Sequence, residues 1–155
     1  MISRLVRSHL YRARSESGVA AIELAIVLPL LFLILFGIIS FGTLFYNYIV
    51  ITNAAREGAR WGSINVPATT VGNACSPPVP TPPAQNPCTV AASYANGLLI
   101  NYGGSNTITP TAIVETVDTL PILRVTINYQ FQGIGFFKTL FSNGLTAKSS
   151  MYLEP

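Results

Sequence analysis

The stretch "ESGVAAIELAIVLPLLFLILFGIISFGTLFYNYIVI", residues 16–51, decides the fold. After Glu23 it carries no charge, and no charged residue appears until Arg56. The twenty-eight uncharged residues 24–51 reach about 42 Å as a helix, more than the ~30 Å of a bilayer's hydrocarbon. A cleaved secretory signal has an apolar region of only about 7–15 residues and a small-residue cleavage site. Residues 31–51 offer no such site, so the stretch predicts a transmembrane helix. Tyr46 and Tyr48 suit its far interface, where a ring is half buried and half wet.

Charge sets the expected direction of crossing. The chain has 155 residues, 50% hydrophobic and 10% charged, with net charge +3. Residues 1–18 hold Arg4, Arg7, Arg12 and Arg14 against Glu16, which accounts for all of it; the remaining five basic and five acidic residues cancel. Arginines beside an apolar segment stay cytoplasmic, so the C-terminal part is expected to be exported. A pI near 9.1 invites a nucleic-acid reading, but beyond residue 18 there is no basic patch for phosphate.

The cysteines fit export. Cys75 and Cys88 bracket "SPPVPTPPAQNP", too rich in proline for helix or interior strand. In an oxidising compartment a bridge would stabilise by roughly 3 kcal/mol through loop entropy; the alternative is two free thiols. Two cysteines and a distant His9 do not make a zinc site, and no other metal or cofactor is expected.

Beyond the apolar stretch the helix is expected to continue through "TNAAREGARWG", residues 52–62. Asn53, Arg56, Glu57 and Arg60 form a polar stripe, with Glu57 and Arg60 able to pair across one turn. Ala54, Gly58 and Gly62 form a stripe of small residues that admits a close backbone, either a neighbouring subunit's helix or the protein's own sheet. Pro29 interrupts the helix; it reads as a structural quirk or as a point where the helix adjusts its shape on packing.

Residues 63–88 read as a proline-rich loop and 89–155 as an α+β region. "TVAASYANGLLIN" predicts a short helix. In "LRVTINYQFQ", Leu123, Val125, Ile127, Tyr129 and Phe131 alternate with polar residues, the two-residue period of a half-buried strand. "TAIVETV" and "LTAKSSMYLE" are weaker strands, and the short link at Asp118–Pro121 makes the first two antiparallel neighbours. "QGIGFFKTLFSNG" reads as an apolar excursion touching membrane or helix. Such a unit is marginal alone and is expected to complete its core on the long helix.

No constellation carries chemistry. The single histidine, His9, lies in the basic leader, and the serines lack a base. Glu115 and Asp118 read as solvated charges at strand ends. No catalytic residue, nucleic acid or small-molecule substrate is expected.

The junction at Gly18 is more specific. A basic leader ends there, four uncharged residues follow, then Glu23 and the apolar helix. With "SGVAAIELAIVLPLLFLILFGIISFGTLFYN" followed by "ITNAAREGARW", the sequence resembles the prepilin-type substrates of bacterial type IV pilus systems, and in particular the TadE-like branch of the tight-adherence (Tad) machinery. Residues 17–62 carry the resemblance. Leu24 departs from it, because Tad substrates usually place an aromatic residue after the glutamate; "AIEL" is the pattern of general type IV pilins and pseudopilins. The chain is also much longer than the major Tad pilins, as a minor pilin or pseudopilin would be.

The resemblance implies cleavage between Gly18 and Val19 by a membrane prepilin peptidase, removal of residues 1–18, and a mature helix over 19–62. The new Val19 amine, with a reference pKa near 7.7–8.0, would lie about 6 Å along the helix from Glu23. Glu23 could pair with that amine or with a neighbouring subunit's. Other pilins and the Tad secretion machinery would then be partners. Without cleavage, Gly18 reads as a flexible residue where the helix begins and Glu23 as an acid in the first turn, worth under ~1 kcal/mol. The chain would then be an uncleaved bitopic scaffold or binding protein.

Overall fold

The computed structural model describes residues 2–76, 85–135, 139 and 144–154, with side chains from residue 18 onward. In chain order the elements are α1 (Ile2–Asn65), β1 (Gly72–Asn73), α2 (Pro87–Ala95), β2 (Ile108–Val117), β3 (Leu120–Tyr129) and β4 (Leu145–Tyr152). The fold is α+β, with a long N-terminal helix, a short second helix and one antiparallel sheet. Contacts divide the chain into two units, Met1–Ile39 and Ser40–Pro155, called anchor and head below.

In the anchor every side chain from residue 18 to 39 is exposed except the half-buried Gly37. Leucine, isoleucine and phenylalanine point outward all round, and the most apolar 18-residue window of α1 has mean hydropathy 2.9 with 6% of it buried. A soluble core helix hides such a surface, whereas a membrane-crossing helix offers it to lipid. α1 passes through Pro29 as helix. It also begins well before Gly18 and has no acid in its first turn, so neither Gly18 nor Glu23 marks a helix start in the uncut chain.

In the head α1 becomes one-sided. Ser40, Asn47, Ile51, Ala54, Gly58 and Gly62 are buried, at steps of three, four or seven that keep them on one face. The helix runs on to Asn65, beyond the expected end at Gly62. Ser63 Oγ and Asn65 Nδ2 donate back to the carbonyls of Arg60 and Trp61 at 2.9 and 2.8 Å, satisfying these polar side chains within the last turns.

The sheet order is β1-β2-β3-β4, antiparallel throughout. Leu123, Val125, Ile127 and Tyr129 are fully buried while Arg124, Thr126 and Asn128 alternate outward. β2 and β3 meet at the Val117↔Leu120 pair. Asp118 and Thr119 between them have φ of 49° and 70°, the left-handed pair a type I′ hairpin needs. β1 was not expected: two residues are too short for any periodicity, and they are held by pairing Gly72 with Val114 and Asn73 with Ile113.

α2 starts two residues before the expected helix and ends six before it, for reasons present in the sequence. Asn86 caps it: its Oδ1 accepts from Thr89 N and its own N–H donates to Thr89 Oγ1, both at 2.8 Å, with Pro87 in the first turn. Gly97, at φ 78°, turns the chain away after the C-cap Asn96. Cys75 and Cys88 form a disulfide with Cα atoms 5.5 Å apart, joining the segment after β1 to the first turn of α2. Residues 77–84 of the proline-rich loop and most of the apolar excursion (136–138, 140–143) lie outside the described residues.

Candidate functional site on the long helix

Gly18, Val19 and Glu23 all lie in the exposed anchor helix. Nothing lies within 4 Å of a Cβ built on Gly18, and Val19 is 58% exposed. Among the described residues Glu23 has no hydrogen-bond or ion-pair partner. Leu24, next to it, is equally open. Gly18 is thus open among the described residues, but it is helical, and any enzyme acting on it would have to straighten the backbone there. Glycine makes that easier, because it contributes about 1 kcal/mol less than alanine to helix stability.

The small stripe lies in the head. Ala54 is fully buried. A Cβ on Gly58 would come 2.6 Å from the Pro87 carbonyl oxygen and 3.0 Å from Ala91 Cβ. A Cβ on Gly62 would collide with Leu123 Cδ2 and lie 2.9 Å from Pro87 Cγ. The close backbone is therefore this chain's own: α2 starts against the two glycines, and β3 closes over the second. Pro87, Ala91 and Ala95 supply a matching small face on α2.

The polar stripe faces away from this contact. Asn53 is half-buried and Arg56 exposed. Arg60 grips Glu57 with two bonds, Nη2–Oε1 at 2.7 Å and Nε–Oε2 at 3.1 Å. Those bonds hold the Glu57 carboxyl below its ordinary range and push the Arg60 guanidinium up. Solvent reaches both groups, so the pair adds little stability.

Sequence reasoning passed over Asn47, the buried polar centre of the head. Its Nδ2 donates to the Ile100 carbonyl at 2.6 Å, and its Oδ1 accepts from the Ile100 N–H at 2.9 Å. One amide side chain thus holds both backbone groups of a residue 53 positions away. Tyr129 Oη donates to the same carbonyl at 3.2 Å, and burial pushes its phenol up. Asn101 extends the network, donating to the Gln130 carbonyl at 2.9 Å and accepting from Gln132 N at 3.2 Å. The signal lay in the spacing: Asn47 is four residues before Ile51 and seven before Ala54, on the packing face of a stretch otherwise apolar.

A groove of about 280 Å³ between α2 and the start of β2 is lined by uncharged residues, Ser93, Asn96, Asn106 and Thr107 among them. Among the described residues no three His, Cys, Asp or Glu side chains converge as a metal site would. Arg124 and Glu115 pair at 2.9 Å across β2 and β3, where both side chains remain partly exposed.

A membrane-exposed helix carrying a glycine–glutamate junction, joined to a small α+β head, defines a class of single-pass, membrane-anchored protein. Residues 18–60 match the TadE-like protein family model. That segment starts at Gly18, takes in Glu23 and the apolar helix, and ends at Arg60 in the polar stripe. The match covers less than half of the chain and is a likeness to TadE-like proteins confined to the long helix. No curated protein and no solved structure matches the chain.

Proposed function

We propose that the protein is a non-enzymatic minor pilin or pseudopilin that takes part in assembling Tad-type adhesive pili. It is cut between Gly18 and Val19 by a prepilin peptidase, with its N-terminus cytoplasmic and its head periplasmic in the inner membrane. The observation that carries this reading is the junction: an accessible glycine and an unpaired carboxylate five residues on, within a helix whose apolar surface is exposed all round. An intramembrane carboxylate without a partner is costly, by as much as ~3 kcal/mol at a helix centre and less near an interface. Cleavage creates the missing partner, the Val19 ammonium, in the same subunit or the next.

Assembly then proceeds by side-to-side packing of anchor helices. The head closes its own small-residue stripe over α2 and β3, which leaves the anchor surface for other subunits. Exchange of Glu23 tests the role directly. Glu23→Ala is expected to be processed normally yet to remain in the membrane fraction, with pilus-associated protein strongly reduced. Normal piliation in that variant would contradict the assembly role of Glu23.

A further inference from the structure

We propose that the segment Leu98–Tyr102 is a lipid-contacting rim that seats the head on the surface of the membrane entered by α1. The proposal rests on the reading of α1 as a membrane anchor. Leu98, Ile100 and Tyr102 are 44%, 40% and 39% exposed and form one apolar and aromatic patch; the head exposes other hydrophobics too, Val71, Leu120 and Tyr152 among them, but none of these is tied to the membrane-proximal turns of α1. Its height along α1 is fixed, since both backbone groups of Ile100 are bound to Asn47 and the Ile100 carbonyl also accepts from Tyr129.

Asn47 stands where the membrane should end. About 20 helical residues span the ~30 Å of hydrocarbon, so a crossing that starts just after Glu23 ends near Thr43. The next turn enters the headgroup layer. There α1 exposes Phe45, Tyr46 and Tyr48, with the two tyrosines suited to an interface. Val50 and Ile51, the last of the apolar run, are instead buried in the head's core, so their hydrophobicity serves protein packing. The rim and the exposed tyrosines of α1 therefore share one level.

Charge points to the same occupant. No charged residue occurs between Arg60 and Glu115, a run that contains the whole rim. The Arg124–Glu115 pair lies toward the other end of β3, near the Asp118 hairpin. That end packs at Gly62, where Leu123 closes on α1, and so lies far along the helix from Asn47. An apolar rim carried on a run of sequence without charge, beside interfacial tyrosines, suits a lipid surface, and a contact with a second copy of the chain is the competing outcome.

The test uses the full-length protein, its disulfide intact, in vesicles of phosphatidylcholine and phosphatidylglycerol. Leu98→Cys and Tyr102→Cys, both exposed positions, are labelled without reductant with an environment-sensitive fluorophore. Quenching is compared between a lipid spin-labelled near its headgroup and aqueous iodide. Both labels are expected to lose emission to the lipid quencher and to resist iodide, with the reverse at Thr119→Cys in the hairpin. Iodide quenching without lipid quenching at 98 and 102 would overturn the proposal, as would shielding that disappears when the protein is diluted in lipid, the mark of a contact between copies. A label at Ile34→Cys reports the anchor itself: lipid quenching there with none at the rim rejects the rim alone, and its absence rejects anchor and rim together.

Discussion

At the scale of single residues, the head depends on side chains whose polar atoms are satisfied in place. Asn47 is the sharpest case, because replacing it removes the partner of the Ile100 N–H and leaves the Ile100 carbonyl with Tyr129 alone, beside a fully buried position on α1. Leaving a buried backbone group unpaired costs about 1–3 kcal/mol, so Asn47→Leu should destabilise the head by that order in urea unfolding monitored through Tyr129 and its neighbours. An unchanged midpoint would show that the clamp does not hold the rim. Glu57 behaves differently, since its stabilised charge is exposed. Its carboxyl sits lower in the folded chain than the ordinary value of about 4.3, so the unfolded chain binds the extra proton first. The small contribution is therefore complete above that value and is lost as pH falls through the lower folded one. Arg60→Gln should flatten this acid limb, and high salt should flatten it in the parent protein; equal pH profiles at low salt would contradict the pairing.

At the scale of elements, α1 changes character within one continuous helix. The anchor half is apolar all round, and the head half is apolar on one face with glycines where α2 and β3 press closest. Helix propensity alone predicts that Gly62→Ala gains up to about 1 kcal/mol. The collision with Leu123 and Pro87 predicts the opposite sign: a lower unfolding midpoint and faster amide exchange in α2 and β3. A higher midpoint would contradict the close approach. Much of this was legible in the sequence. The alternation of Leu123, Val125, Ile127 and Tyr129 gave β3, and the unbroken apolar run gave the anchor. The origin of α1 before Gly18 was not legible, because the leader has no apolar period to extend. β1 exists only through its pairing with β2. Whether Gly58 and Gly62 faced a neighbouring subunit or their own sheet depended on where the chain brings Pro87 and Leu123, which spacing along α1 does not encode.

At the scale of the whole molecule, the division of labour follows from where the charges and the satisfied contacts lie. The head is closed on itself by its sheet, the disulfide and the Asn47 clamp. From residue 18 to 38 the anchor's apolar side chains are exposed and Glu23 has no hydrogen-bond or ion-pair partner among the described residues, as the proposed role of a subunit awaiting assembly would require. On the function proposed above, cleavage at Gly18 would convert the unpaired carboxylate from a cost into a contact, and the central claim rests on it. Mass spectrometry of the intact protein, extracted from the membranes of cells with a working prepilin peptidase, reads the new terminus directly. The predicted result is a chain that begins at Val19, with residues 1–18 retained when the peptidase is inactivated. A chain still carrying residues 1–18 in peptidase-competent cells would contradict the account.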